Sequence, residues 1–217
     1  MFKAAVLVDG GYLRAVAIKA QFYYTPDFIE KIALSCYDPR EEILYRIFYY
    51  DCPPFHGDLT QPVSQQRISL RGNPQWLAEL SRREYFAVRL GIVKFRGYAL
   101  KRLPPPADRP LEDSDFRPVF EQKGVDMRMG IDIASMCEKR LIDRLILLSG
   151  DTDIVPAMKH ARKSGLQVVL ALLPDERLTG DLFSHADLRR QISWPEGMPR
   201  LAGYSPEELP VDEPVEE

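Results

Sequence analysis

Short apolar runs alternate with longer segments of helical spacing along most of this chain. "KAAVLVDG" (3–10) reads as a buried strand stopped by Asp9 and Gly10, and Gly10-Gly11 lets the chain turn into "YLRAVAIKA", a predicted helix. "TPDFIEKIALSCY" offers Thr25 as an N-cap and Pro26 at the first helical position. Residues 43–50 are rich in aromatic and branched side chains and predict a second strand, with Asp51 at its C-terminal end. Residues 54–75 are polar and predict a long loop or broken helix. "PQWLAELSRREYF" predicts a helix, and "AVRLGIVKFRGYALKRL" one or two strands with a hairpin across Gly91 or Gly97. Residues 104–118 predict an exposed, proline-rich connection.

The C-terminal half is more regular. "GVDMRMGIDIASMCEKRL" sets Met129, Ile133, Met136 and Cys137 at helical spacing. "DRLILLSG" predicts a strand, "DIVPAMKHARKSG" a helix closed by Gly165, and "LQVVLALLP" another strand. Strands alternating with helices imply an α/β domain around a mainly parallel sheet. In such sheets ligands bind beyond the carboxyl ends of the strands.

Composition narrows the class. Of 217 residues, 45% are hydrophobic and 28% charged, as in ordinary globular proteins. No apolar run approaches the roughly 18–20 residues of a membrane span, and Met1-Phe2-Lys3 leads straight into the first strand without a secretory leader. Cys36, Cys52 and Cys137 lack the spacing of a disulfide framework or zinc site, which fits a cytoplasmic protein. The net charge of −3 is uneven: residues 205–217 carry six acidic residues and no basic ones, leaving 26 acidic against 29 basic residues in 1–204. We read 1–204 as one domain and 205–217 as an acidic disordered tail.

The chemistry lies in aspartates. Asp9, Asp51 and Asp151 each follow a predicted strand directly, and Asp153 follows Asp151 by two residues. Asp126 stands near the start of a predicted helix, where the macrodipole alone would favour it. Asp132 is off that helical face and ranks second, as does Asp51, which could be an ordinary turn residue before Cys52-Pro53-Pro54. Asp9 and Asp153 could each serve as a helix cap. As a group, carboxylates converging on one rim need counter-charge, and hard divalent cations take oxygen ligands. His56, His160 and His185 lie apart. No P-loop, dinucleotide fingerprint or nucleophile elbow is present.

"VLVDGGYL" (6–13), "KGVDMRMGIDI" (123–133) and "LILLSGDTDIVPAMKHARKSGLQVVLA" (145–171), with "SHADLRRQI" as a closing segment, resemble the NYN domain family of PIN-like proteins, in its LabA-like bacterial branch. The resemblance implies a PIN-like three-layer α/β/α fold and a ribonuclease dependent on Mg²⁺ or Mn²⁺. It carries the acidic set onto Asp9, Asp126, Asp151 and Asp153 as catalytic and metal-binding residues. Residues 54–118 match poorly and look like an elaboration. One position departs from the pattern: relatives often place an Asn shortly after the first Asp, and here that place is Tyr12, which supplies no amide.

A nuclease must also hold a phosphate backbone. "KFRGYALKR" interleaves Lys94, Arg96, Lys101 and Arg102 with Phe95 and Tyr98, so cations could meet phosphates while rings stack on bases. Lys123 stands three residues before Asp126. RNA is the expected partner, and a homodimer stays open. Two alternatives remain: a non-catalytic RNA- or protein-binding module, and a haloacid-dehalogenase-type phosphatase. The phosphatase would need a second acid where Gly11 stands.

Overall fold

The computed structural model describes residues 1–174, 176 and 178–201; the expected acidic tail lies outside them. In chain order the first half contains β1 (Phe2–Asp9), α1 (Gly10–Lys19), α2 (Pro26–Ser35), β2 (Glu42–Asp51), β3 (His56–Thr60), β4 (Arg67–Arg71), α3 (Gln75–Leu80), β5 (Phe86–Leu90) and β6 (Ile92–Leu100). The second half contains β7 (Phe116–Lys123), α4 (Val125–Glu138), β8 (Arg144–Leu148), α5 (Val155–Lys163), β9 (Gln167–Leu172), α6 (Gly180–Ser184) and β10 (Leu188–Gln191).

Six strands form one sheet in the order β10-β9-β8-β1-β2-β5, with every pairing parallel. A parallel sheet must bury both faces, and β1 shows how. Ala4, Val6 and Val8 point into a core with Leu13 of α1, Phe28 and Ile32 of α2, and Leu77 of α3. Ala5 and Leu7 point the other way, toward Met129 and Ile133 of α4, Met158 of α5 and Leu182 of α6. The result is the three-layer α/β/α arrangement. Thr25 caps α2, accepting from the Phe28 amide at 3.2 Å, with Pro26 at the first helical position.

At the N-terminal edge of the sheet Glu42 is buried beneath two arginines. Arg190 of β10 donates to it at 2.7 Å, and Arg144 of β8 also pairs with it. This network ties an edge strand to β2 from below.

Residues 54–118 depart from the sequence expectations. The polar stretch 54–75 is an antiparallel hairpin, β3 with β4, rather than a loop or broken helix. No hairpin turns at Gly91 or Gly97. β5 instead joins the main sheet beside β2, and β6 pairs with β7. This region therefore contains two hairpins, the second extending to Lys123, while β5 belongs to the main sheet. The periodicity within one strand cannot show which strand is its partner, so the sequence pattern alone does not distinguish these pairings. The two hairpins pack together through Phe55 and Phe120, with ring centroids 4.9 Å apart, and through Asp113, which accepts from the Val63 amide at 2.9 Å.

Candidate functional site

The winding of the sheet reverses at β1: β2 and β5 lie on one side of it, β8, β9 and β10 on the other. The carboxyl ends flanking such a reversal frame a crevice. β1 and β8 pair with Val8 opposite Leu148, so the next residues, Asp9 and Ser149, emerge side by side. Asp9 Oδ2 accepts from the Ser149 hydroxyl at 3.0 Å. Its Oδ1 accepts from the Tyr12 amide at 3.0 Å, which makes Asp9 the N-cap of α1. The Ser149 oxygen in turn accepts from the Asp151 amide at 3.1 Å.

Asp151 Oδ1 accepts from the Asp153 amide at 2.8 Å and caps the short 3-10 turn Thr152–Ile154 that leads into α5. The cap is thus Asp151, not Asp153, whose side chain is left exposed in the first turn. Asp126 enters from the far side, in the first turn of α4, just after Gly124 in the left-handed conformation with φ +78°. Helix α4 runs antiparallel to β8, so its N-terminus lies on the same edge as the strand ends.

These acids feel one another. Burial pushes the Asp9 carboxyl above its ordinary value, and the charges of Asp126 and Asp151 push it further, against the Tyr12 amide and Ser149 hydroxyl. Burial raises Asp126 as well, with Asp151 and Asp153 adding to it. None of the four carboxylates forms an ion pair among the described residues. The second-rank acids differ. Asp51 is fully buried, paired with Arg14, and accepts from the Tyr49 hydroxyl and Cys52 amide at 2.7 Å each. Arg14 itself lies over the rings of Tyr24 and Trp76. Asp132 is held by the Tyr50 hydroxyl at 2.9 Å and Arg89 at 3.0 Å. Both acids already have their counter-charge.

The four remaining acids offer oxygen donors only, the set that suits Mg²⁺ or Mn²⁺. Among the described residues no three His, Cys, Asp or Glu side chains close on a single point as a ready cage. Such a cage is not what Mg²⁺ requires, since it is commonly held by one or two carboxylates with water and phosphate oxygens completing the shell. The rim fits an open site of that kind.

The basic stretch is rearranged by the hairpin. Phe95 packs on Phe120 and, edge-on, on Tyr98, so these rings form a small core with Phe55. The Tyr98 hydroxyl is buried without a partner among the described residues. Arg96 and Lys123 both pair with Glu121, while Lys94 lies exposed opposite Glu121 in the ladder. Lys101 and Arg102 sit at the far tip of β6, roughly 25 Å from the rim at the rise of a strand. The expected interleaving of rings and cations is therefore separated into two faces and two ends.

Tyr12 lies over Gly150: a Cβ on Gly150 would stand 2.6 Å from the Tyr12 ring, so only glycine fits beneath it. The Tyr12 hydroxyl is buried without a partner among the described residues. Ser149 and Arg14 were not read as site residues. The signal for Ser149 was its place after a strand, one residue short of Gly150. For Arg14, one helical turn past Asp9, no sequence signal distinguished it from a solvated arginine.

The family model described as the NYN domain matches residues 3–190. Among solved structures, a protein of unknown function from Vibrio parahaemolyticus RIMD 2210633 has a TM-score of 0.50 at 16% identity, covering 88% of this chain and 93% of that one. At that identity the likeness concerns the fold alone. The curated proteins contain no match.

Proposed function

Since the chain belongs to the NYN domain family, a PIN-like family of nucleases, we propose that it is a divalent-metal-dependent ribonuclease cutting RNA at the rim of Asp9, Asp126, Asp151 and Asp153. One observation carries the reading. Acids from three separate segments converge at the reversal point of the sheet without an ion pair among the described residues, while Asp51 and Asp132 close by are neutralised by arginines. Charge left unpaired in this way at a crevice marks a place for an external cation.

Asp9, Asp126 and Asp151 would hold the cation, and Asp153 would hold it or orient a water. A bound Mg²⁺ or Mn²⁺ supplies positive charge that activates water and offsets the charge developing in an in-line displacement at phosphorus. The protein's own part is positional. Ser149 fixes Asp9, Asp151 fixes the turn after β8, and the exposed Asp153 would orient an incoming water.

The test is cleavage of a panel of RNAs and DNAs with Mn²⁺, Mg²⁺ or chelator, beside Asp151→Asn. We expect metal-dependent RNA cleavage that falls by more than about 100-fold in the variant, beyond the cost of losing an outer-shell partner. Equal cleavage by the variant would remove the proposal. Tyr12, which supplies no amide where the family pattern often has an Asn, favours a second reading, an RNA- or protein-binding module without cleavage. That module would leave the same RNAs intact under every metal condition.

A further inference from the structure

We propose that Gln122 of β7 contacts the RNA strand at the rim, its carboxamide donating to a phosphate oxygen beside Asp9. The proposal rests on the reading of the rim as an RNA site. A Cβ built on Gly11 would stand 3.5 Å from Asp9 Oδ1, 3.5 Å from Gln122 Oε1 and 4.0 Å from Gln122 Nε2. Amide and acid thus flank one point over the first turn of α1. The segment that brings Gln122 there continues through Lys123 and Gly124 into α4 and delivers Asp126 four residues later.

The strand register explains why this side chain faces the body. Gln122 is opposite Val93, which packs against the core beneath α4, and it shares its face with the Phe95–Phe120 pair. Lys94, Glu121 and Lys123 take the other face. Gln122 therefore follows an aromatic mini-core and ends at the acids. It is exposed, and its carboxamide is engaged by no side chain among the described residues.

The chemistry of the rim accounts for the residue type. Four carboxylates offer only acceptors, and a phosphodiester needs donors. An arginine or lysine at this point would pair with Asp9, as Arg14 does with Asp51, and would leave less charge for a cation. A carboxamide supplies two N–H donors without a charge that the acids could capture. The residue three positions after Asp9 is Tyr12, whose ring is committed to Gly150, so the donor comes from the hairpin instead.

The experiment measures binding of a fluorescent single-stranded RNA by anisotropy in Asp151→Asn protein with Mn²⁺, and single-turnover cleavage in the chain that keeps Asp151. Gln122→Ala is expected to weaken binding by about tenfold or more, the scale of losing a hydrogen bond to a charged group. Gln122→Glu should be worse than Ala, because it sets a fifth carboxylate against the phosphate. Both should melt within about 1 °C of the parent, since the side chain is exposed. Binding and cleavage within twofold of the parent for both variants would overturn the proposal. A parent that binds but never cleaves overturns the nuclease reading alone, because the Gln122 comparison is still read from binding. A parent that does neither overturns both.

Discussion

Ser149 donates its hydroxyl to Asp9 at 3.0 Å, so the tip of one strand eases the ionisation of the group at the tip of its neighbour. That bond pulls the Asp9 carboxyl down, while burial and the charges of Asp126 and Asp151 push it up. Ser149→Ala removes one of the few groups that favour the ionised form. On the proposed role of Asp9, the acid must then be freed of its proton at higher pH before a cation can bind there. We expect the acid limb of the cleavage–pH profile to move to higher pH, with a loss of rate on the acid side of up to roughly tenfold. Single-turnover rates between pH 5 and 8 measure it, and an unmoved limb would speak against Asp9 as a metal-facing acid.

The raised carboxyl of Asp126 has a consequence for stability. Its folded value lies above the unfolded one, so the folded chain binds more protons in the window between them. Stability therefore falls as pH rises through that window and stays lower above it. At pH 7 in chelator, Asp126→Asn should melt about 2 °C higher than the parent, a shift typical of relieving a site kept for function. Millimolar Mn²⁺ should stabilise the parent by mass action and the variant less. Melting curves with chelator and with Mn²⁺ decide it; a lower melting point for the variant in chelator would contradict the repulsion.

Arg14 is the counterpart case. It neutralises the fully buried Asp51, and removing one partner of such a pair strands the other. Arg14→Met should cost about 3 kcal/mol, or roughly 6–12 °C in Tm for a chain of this size. Urea unfolding measures the loss. The shift added by Mn²⁺ should be unchanged, because Asp51 is not among the acids proposed to hold the cation.

Glu42 predicts the opposite pH dependence. Burial opposes its ionisation, but the guanidinium groups of Arg190 and Arg144 prevail and hold its carboxyl below the ordinary range. The stability it contributes is complete above the unfolded value of about 4.5 and is lost as pH falls through the folded value. Glu42→Gln should cost about 3 kcal/mol at pH 7 and flatten the loss of stability on acidification. Urea midpoints from pH 3 to 7 for both proteins would show it; parallel curves would leave the network without energetic weight.

Much of this was legible from local pattern. The runs at 3–10, 145–148 and 167–172 carry their own strand signal because both faces are buried, and Thr25-Pro26 marks the start of α2. The placement of Asp9, Asp126, Asp151 and Asp153 was readable because each ends or follows a strand or opens a helix, positions that a parallel sheet gathers on one edge. The state of Asp51 was not readable. It follows β2 as Asp9 follows β1, and only Arg14 packed under Trp76 separates them. The hairpins were hidden for a related reason: the partner of β6 lies beyond a proline-rich connection, and no periodicity within β6 names a partner that far along the chain. Gln122 gave no signal, since a single glutamine near a strand end is ordinary until its neighbour across space is known.

The central place of β1 has a temporal side. Asp9 and its anchor Ser149 are 140 residues apart in sequence, and Asp126 and Asp151 both come late in the chain. During synthesis the first strand waits for most of the polypeptide before the acidic rim can assemble. A nascent or clipped chain would thus carry isolated acids and no rim, so any activity of that edge awaits the finished fold.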